Sequence, residues 1–325
     1  MTNHVPLLEV KGLSKHYKVN TGALLEKKVL KAVDSLDVVI HEGDVFGLVG
    51  ESGCGKTTFG QIAAGILQPS AGDILYKGCS LAQMNSNERL DFRRQVQMVL
   101  QDPYSSLNPR KRIGWLIEEP LVIHRRYTKA RREELVREMM KATGLDPAIR
   151  RAFPGNLSGG QCQRVSIAAS LILGAELIIA DEPVSALDVS VQSQILNLFT
   201  ELKEKNGLTI LFISHNLNVV RYMANRIGVM YMGRIVETGG SEEVCTNPAH
   251  PYTQMLMSAV LSPDADPGTR KVIPRGEVPN PLDPPPGCPF HMRCVYAAEI
   301  CKKENPAPVQ CGPGHSVCCH IAAAQ

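Results

Sequence analysis

The chain has 325 residues and a formal net charge of +3 at pH 7, with 44% hydrophobic and 21% charged residues. This length holds one large domain or two ordinary ones, and the composition is that of a packed globular protein. The small charge gives no argument for nucleic-acid binding, and no uninterrupted run of about 18 apolar residues could span a bilayer. Residues 1–10 carry no secretory signal, so we expect a cytoplasmic chain whose membrane role would come through a partner.

Short β-branched runs alternate with helical patterns along the chain. The predicted strands are residues 7–13, 34–40, 44–50, 96–101, 176–181, 208–214 and 225–232, and residues 56–67 form a predicted helix. Continuous apolar strands separated by helices indicate a largely parallel sheet with both faces covered. The predicted fold class is therefore α/β.

The pattern becomes helical between the strands at 96–101 and 176–181. Residues 112–126 and 128–144 read as helices, and a glycine at position 144 ends the second. We therefore predict an all-helical insertion at about 102–165 within the α/β core.

Prolines become frequent after about residue 247. The segment PNPLDPPPGCP excludes both a helix and a central strand. We predict a domain boundary near residue 250, with a core domain at 1–250 and an irregular extension, rich in Cys and Pro, at 251–325.

The segment GESGCGKTT, residues 50–58, fits the phosphate-loop pattern G-x-x-x-x-G-K-[ST] and lies between a predicted strand and a predicted helix. Its backbone N–H groups and the helix N-terminus favour phosphate oxygens. Lys56 is expected to reach the β- and γ-phosphates, and the Thr57 hydroxyl to coordinate Mg²⁺. The predicted nucleotide-binding residues of this loop are Gly50, Ser52, Gly53, Gly55, Lys56, Thr57 and Thr58.

A second predicted strand, in ELIIADEP at 176–183, ends in two acids. Asp181 is expected to hold Mg²⁺, and Glu182 to orient or deprotonate the attacking water, because phosphoryl transfer requires positioning more than covalent help. The alternative is a strand end that carries two solvated acids, and the phosphate loop disfavours it.

The segment NLSGGQCQR, residues 156–164, resembles the signature motif of ABC-type ATPases, and ADEPVSALD at 180–188 supports that resemblance. Ser158 and the glycine amides precede a helical pattern and would form a second anion site. One chain cannot easily fold two such sites around one nucleotide. The resemblance implies that the motif closes on the γ-phosphate held by a facing subunit, through Ser158, Gly159, Gly160 and Gln161.

Three further residues match positions of this family one by one. Gln101 resembles the glutamine that joins the core to the insertion and senses Mg²⁺ and the attacking water. His215 resembles the histidine that contacts the γ-phosphate, and Tyr17 the aromatic residue that stacks on adenine. The alternatives are a polar strand end, a solvated histidine and ordinary strand packing. With Lys56 and Glu182, Gln101 and His215 make up the predicted catalytic set.

Three stretches resemble the branch of this family that imports oligopeptides, dipeptides and nickel complexes: LQDPYSSLNPR at 100–110, the residues 181–198, and NPAHPYTQML at 247–256. The resemblance implies an ATP-hydrolysing subunit at the cytoplasmic face of the inner membrane. Its implied partners are a second similar ATPase, two permeases and an external solute-binding protein, with no nucleic acid. The alternative is an ATPase accessory to a soluble complex, as in the carbon–phosphorus lyase machinery.

Six of the ten cysteines lie after residue 287. The spacing of four of them resembles the tail of importer ATPases that carry a [4Fe–4S] cluster, and the implied ligands are Cys288, Cys294, Cys301 and Cys319. Four thiolates suit such a cluster. They also suit zinc, although the tight cysteine pair of zinc sites is missing. Free thiols or disulfides are the third alternative.

Overall fold

The computed structural model describes residues 5–20, 27–125, 127–260 and 275–322. The outer ends of both predicted domains, and residues 261–274 of the extension, lie outside these ranges. The strands are β1 (Pro6–Asn20), β2 (Lys27–His41), β3 (Val45–Val49), β4 (Ala71–Tyr76), β5 (Cys79–Ser80), β6 (Val96–Val99), β7 (Leu177–Asp181), β8 (Thr209–Ser214), β9 (Arg226–Tyr231), β10 (Arg234–Gly240), β11 (Val309–Gly312) and β12 (His315–Val317).

The helices alternate with these strands. They are α1 (Lys56–Ala63), α2 (Ser86–Gln95), α3 (Pro103–Ser106), α4 (Ile113–Ile123), α5 (Lys129–Ala142), α6 (Gly159–Leu171), α7 (Val189–Asn206), α8 (Leu217–Met223), α9 (Ser241–Thr246) and α10 (Pro251–Val260). Short 3-10 helices span Pro147–Arg151, Pro154–Asn156 and Glu299–Lys302. Among the described residues, no helix has the length and hydropathy needed to cross a membrane.

The main sheet has the strand order β11-β12-β10-β9-β3-β8-β7-β6. The five strands from β9 to β6 run parallel. All residues of β3, β7 and β8 are buried, because helices pack on both faces. The predicted parallel sheet is confirmed, and it places the residues that follow β3, β6, β7 and β8 along one edge.

A smaller antiparallel sheet, with the order β2-β1-β4-β5, covers α1. Its apolar residues share one core cluster with α1 and with the main sheet, as Leu8 and Ile40 do with Phe59 and Leu48. In this sheet Tyr17 of β1 pairs with Leu30 of β2. Both strands are longer than predicted, and the pairing places them beside the loop that precedes α1.

The described residues between β6 and β7 form helices and no strand. α4, α5 and α6 bury a core of their own, which includes Ile117, Met140 and Val165. The predicted all-helical insertion is confirmed, although α6 continues to residue 171, beyond the predicted end at about 165. The predicted helix stop is Gly144, with a φ of 68°, where a side chain would be strained.

The extension is attached to the main sheet. β12 pairs with β10, and β11 pairs with β12, so residues 309–317 form two strands within the predicted irregular segment. Glu237 of β10 is 1% exposed and accepts hydrogen bonds from the backbone N–H groups of Ala249 and His250, both at 2.8 Å. Its Oε1 lies 2.7 Å from Nε2 of His315. One buried carboxylate therefore binds both the residues that immediately precede the extension and His315 near its C-terminal end. The boundary near residue 250 stays a prediction.

His250 lies in a cluster of aromatic side chains and is 1% exposed. Its ring centroid is 5.7 Å from that of Phe290, and Phe290 also packs against Tyr231 and Tyr252. Nδ1 of His250 accepts a hydrogen bond of 3.0 Å from the backbone N–H of Tyr252. Burial lowers the pKa of His250 from 6.5 to about 3.

We expect the free energy of unfolding to fall as the pH drops from about 6.5 towards 3. In that window the unfolded chain binds a proton at His250 that the native chain does not bind, so stability decreases with decreasing pH. The loss should reach about 1.4 kcal/mol at pH 5.5. Asn in place of His250 keeps an acceptor for the Tyr252 N–H and does not titrate. Urea unfolding of both proteins at pH 7.5 and 5.5 should give a smaller loss for His250→Asn, and equal losses would contradict this prediction.

Candidate nucleotide site

The phosphate loop connects β3 to α1. Gly53 and Gly55 have positive φ angles of 79° and 109°, and a Cβ at Gly55 would collide with the carbonyl oxygen of Ala32. Only glycine fits such a position without strain. Lys56, the first residue of α1, is 5% exposed, and its Nζ donates to the carbonyl oxygens of Gly50 at 2.7 Å and Glu51 at 3.0 Å. The loop therefore has the form that the sequence motif predicts.

Asp181, the last residue of β7, lies beside the start of α1. The hydroxyl of Thr57 donates a hydrogen bond of 3.2 Å to Asp181 Oδ1. Asp181 is 2% exposed, and burial raises the pKa of its carboxyl group. A hydroxyl and a carboxylate are oxygen ligands of the kind that Mg²⁺ prefers, so this pair fits the predicted metal site.

Glu182 has a φ of 46°, which is unusual for a residue other than glycine. Its backbone N–H donates to the carbonyl oxygen of Ile213 at 2.9 Å, which ties it to β8. Its Oε2 accepts a hydrogen bond of 3.0 Å from Nε2 of Gln101 and lies 3.1 Å from Nδ1 of His215. Backbone strain of this kind is typical of functional sites. Three of the four predicted catalytic residues thus meet at one carboxylate.

A cavity of about 780 Å³ opens at this edge of the sheet, which is within the usual range for ligand pockets. Its lining includes several predicted residues, namely Tyr17, Ser52, Gly53, Gly55, Lys56, Thr57, Thr58, Gln101, Glu182 and His215. Gly50 and Asp181 are not among the lining residues. Tyr17 is on the side formed by β1 and β2, where Nζ of Lys15 lies 5.4 Å from its ring centroid.

The predicted signature residues lie elsewhere in the chain. Ser158 caps α6, and its Oγ accepts a hydrogen bond of 3.3 Å from the backbone N–H of Gln161. In return, Oε1 of Gln161 accepts one of 3.0 Å from the N–H of Ser158. Ser158, Gln161 and the two glycines between them, Gly159 and Gly160, are absent from the lining of the cavity described above. The helix start predicted from the sequence is present, but it is not brought to the phosphate loop of the same chain.

The chain matches known protein families and relatives over most of its length. Residues 33–185 match the family model described as "ABC transporter", and residues 236–301 match "Oligopeptide/dipeptide transporter, C-terminal region". The oligopeptide transport ATP-binding protein AppF of Bacillus subtilis is 44% identical over 98% of this chain and 98% of its own length. The chain belongs to the ABC transporter family. The dipeptide transport ATP-binding protein DppF of Haemophilus influenzae is 42% identical over 99% of this chain and 100% of its own.

Solved structures of ABC transporter proteins share the fold. A dimeric ATP-binding cassette in a post-hydrolysis state, bound to ADP and Pi, has a TM-score of 0.65 and 27% identity, over 72% of this chain and 98% of its own. A component of the cbiONQ transporter complex of Clostridium perfringens has a TM-score of 0.64 and 26% identity, over 74% of this chain and 91% of its own. The chain is an ABC ATPase, and ATP and Mg²⁺ are the cofactors expected of this family.

Part of the cavity lining of this ABC ATPase is formed by residues that no sequence motif identifies. The cavity is also bounded by Lys31, Ala32 and Arg234, and by the proline-rich segment 278–289. From its sequence, segment 278–289 is predicted only to exclude regular secondary structure. Its prolines predict that the segment lies on the protein surface, because it cannot enter a sheet or a helix. They do not indicate which part of the surface it covers.

The four cysteines predicted as cluster ligands are all less than 10% exposed, and none forms a disulfide. Burial, with the neighbouring thiols of Cys301, Cys319 and Cys294, raises the pKa of Cys288 to about 12. The backbone N–H of Cys288 donates to the carbonyl oxygen of Cys301 at 2.8 Å. Cys294, Cys301 and Cys319 are therefore near enough to Cys288 to influence its thiol. Within the ranges that the structure describes, no three His, Cys, Asp or Glu residues form a group that could hold a metal ion.

Proposed function

We propose that this chain is the ATP-hydrolysing subunit of an ABC importer for peptides or related solutes. Hydrolysis is supported by one observation above all, the meeting of Gln101 and His215 at the carboxylate of Glu182 beside the phosphate loop. The solute class is supported by relatives named as oligopeptide and dipeptide transport proteins and by the match of the C-terminal region. The accessory ATPase of a soluble complex is not favoured by these names.

The side chains divide the chemistry between them. Lys56 would bind the β- and γ-phosphates, and Thr57 and Asp181 would hold Mg²⁺, which would neutralise charge on the phosphoryl oxygens. Glu182 orients the attacking water and accepts its proton, which is the role of a general base. Gln101 and His215 fix the carboxylate of Glu182 by their contacts of 3.0 and 3.1 Å.

The second half of each nucleotide site would come from another subunit. Since Ser158 and its neighbours lie away from the cavity of their own chain, they are placed in this proposal against the γ-phosphate of a facing ATPase. That ATPase is a similar but distinct chain, and the pair binds two permeases at the cytoplasmic face of the inner membrane. An external binding protein supplies the solute, and nucleic acid takes no part.

A census of bound partners tests this function. Glu182→Gln should slow hydrolysis and hold the ATP-bound pair closed, so partners should stay together during purification from native membranes in mild detergent with Mg²⁺ and ATP. We expect mass spectrometry to identify two permeases and a second ATPase. If the chain is absent from the membrane fraction and only soluble enzymes accompany it, the transport proposal is wrong and the accessory ATPase replaces it.

For the cysteines we propose a [4Fe–4S] cluster held by Cys288, Cys294, Cys301 and Cys319. Support comes from four buried neighbouring thiols without a disulfide. Zinc is disfavoured because the four cysteines lack the closely spaced pair that is usual in structural zinc sites.

Purification without oxygen should therefore give about four iron atoms per chain, together with acid-labile sulfide. Cys294→Ser should lose most of the iron, because it removes one ligand. Cys311→Ser is the matched control, since Cys311 is exposed and its thiol donates to the carbonyl oxygen of His315. Stoichiometric zinc, or no metal in an anaerobic preparation, would contradict the proposal.

A further inference from the structure

Arg293 connects the cysteine-rich extension to the phosphate loop. It lies immediately before Cys294, and its side chain is only 7% exposed. Nη1 donates to Oε2 of Glu51 at 2.7 Å, and Nη2 donates to Oε1 of the same carboxylate at 3.0 Å. This is a two-bond, charge-assisted contact, which fixes geometry better than a single ion pair. The guanidinium also lies over the rings of Tyr231 and Phe290, 5.9 and 5.7 Å from their centroids.

Glu51 is the second residue of the phosphate loop, and each of its polar groups has a partner. The carboxylate binds Arg293, and the backbone N–H donates to the hydroxyl of Tyr252 at 2.8 Å. The carbonyl oxygen accepts the hydrogen bond from Nζ of Lys56. Both Arg293 and Tyr252 belong to the extension as predicted from the sequence. The position of the loop residue that binds Lys56 therefore depends on side chains more than 200 residues away in sequence.

The extension also bounds the nucleotide cavity. Segment 278–289 lines it, as do Tyr17 and Leu30 of the small sheet. Prolines restrict the backbone of this segment, so it forms a wall at low entropic cost. Pro289 ends this segment, four residues before Arg293. The backbone carbonyl of Arg293 accepts a hydrogen bond of 3.1 Å from the N–H of Arg275.

We propose that Arg293 is a positioning residue of the nucleotide site, and that the extension sets ATP affinity by holding Glu51 and, through it, the phosphate loop. This inference rests on the proposed ATP hydrolysis. It requires no direct contact between Arg293 and nucleotide. Since the loop binds phosphates in the ground state and during reaction alike, loss of Arg293 should weaken binding more than it slows the chemical step.

The test replaces Arg293 by methionine, which has a similar length and no charge. We expect the Kd for a fluorescent ATP analogue, and the KM for ATP, to rise about tenfold, with kcat within about threefold of the original protein. Arg293→Lys, which keeps the charge but loses the two-bond geometry, should give a smaller rise. Circular dichroism and thermal melting check folding, and the lysine variant carries the test if the methionine variant does not fold.

Two controls separate positioning from general damage. Arg132→Met removes a partly buried ion pair of 2.8 Å with Glu118 in the helical insertion, and it should leave the Kd unchanged. In a double-mutant cycle, adding Glu51→Gln to Arg293→Met should raise the Kd for ATP little further, because each substitution already removes the contact between the two side chains. An unchanged Kd in folded Arg293→Met, or fully additive effects, would overturn the inference. Absence of ATP binding by the original chain would instead overturn the proposed function.

Discussion

Replacing Glu182 by glutamine should lower the rate constant of ATP hydrolysis about 10²- to 10³-fold, because a positioned general base contributes about 10²–10⁴. Glutamine has nearly the same shape as glutamate and can still accept the hydrogen bond of 3.0 Å from Gln101. It cannot accept a proton from water. ATP binding should therefore persist, since Lys56 and Thr57 are unchanged. Single-turnover hydrolysis at saturating ATP, with a separate measurement of the Kd for ATP, distinguishes the two effects.

The matched control is Glu201→Gln. Glu201 lies on α7, with its side chain 60% exposed, and it forms a surface ion pair of 3.4 Å with Lys205. Surface ion pairs of this kind contribute little to the free energy of folding, so the rate constant of hydrolysis should be unchanged. If folded Glu182→Gln retains more than a tenth of the original rate constant, Glu182 is not the base, and His215 becomes the group to test next.

The predictable parts of the site are those that short, contiguous sequence motifs define. The phosphate loop is defined by glycines and a lysine within nine residues, and the helix start at Ser158 by a capping pair three residues apart. Parallel strands then bring Gln101, Glu182 and His215 to one edge, because each follows a strand of the same sheet. Local pattern and strand direction were sufficient for this much.

The contribution of the extension could not be predicted in this way. Glu51 and Arg293 are 242 positions apart, and neither belongs to a local pattern that names the other. The pairing of β12 with β10 could not be predicted either, since strands of three or four residues cannot be distinguished from loops by their sequence. The positive φ of Glu182 is also invisible, because it results from the surrounding structure and not from residue type.

Lys56→Met should raise the Kd for ATP about 100-fold. Lys56 is the cation of the phosphate loop, and hydrogen bonds to charged groups contribute about 1.5–3 kcal/mol, so loss of its proposed contacts to the β- and γ-phosphates would account for a factor of this size. The position is 5% exposed, and methionine fills it with a chain of similar length. The carbonyl oxygens of Gly50 and Glu51 lose the hydrogen bonds from Lys56, while that of Glu51 keeps the one of 3.3 Å from the backbone N–H of Cys54. Titration calorimetry with ATP and Mg²⁺ measures the change.

Lys31→Met is the control that decides how Lys56 acts. Lys31 lines the same cavity with the same charge, but its side chain is 47% exposed and lies 3.7 Å from Asp34. If the cavity attracted nucleotide only through its overall positive charge, both substitutions would weaken binding alike. The charge of Lys31 is exposed and screened by salt, and Lys31 is not a residue of the phosphate loop. Lys31→Met should therefore change the Kd for ATP by less than about threefold. Equal effects would show that the cavity attracts phosphate without directing it.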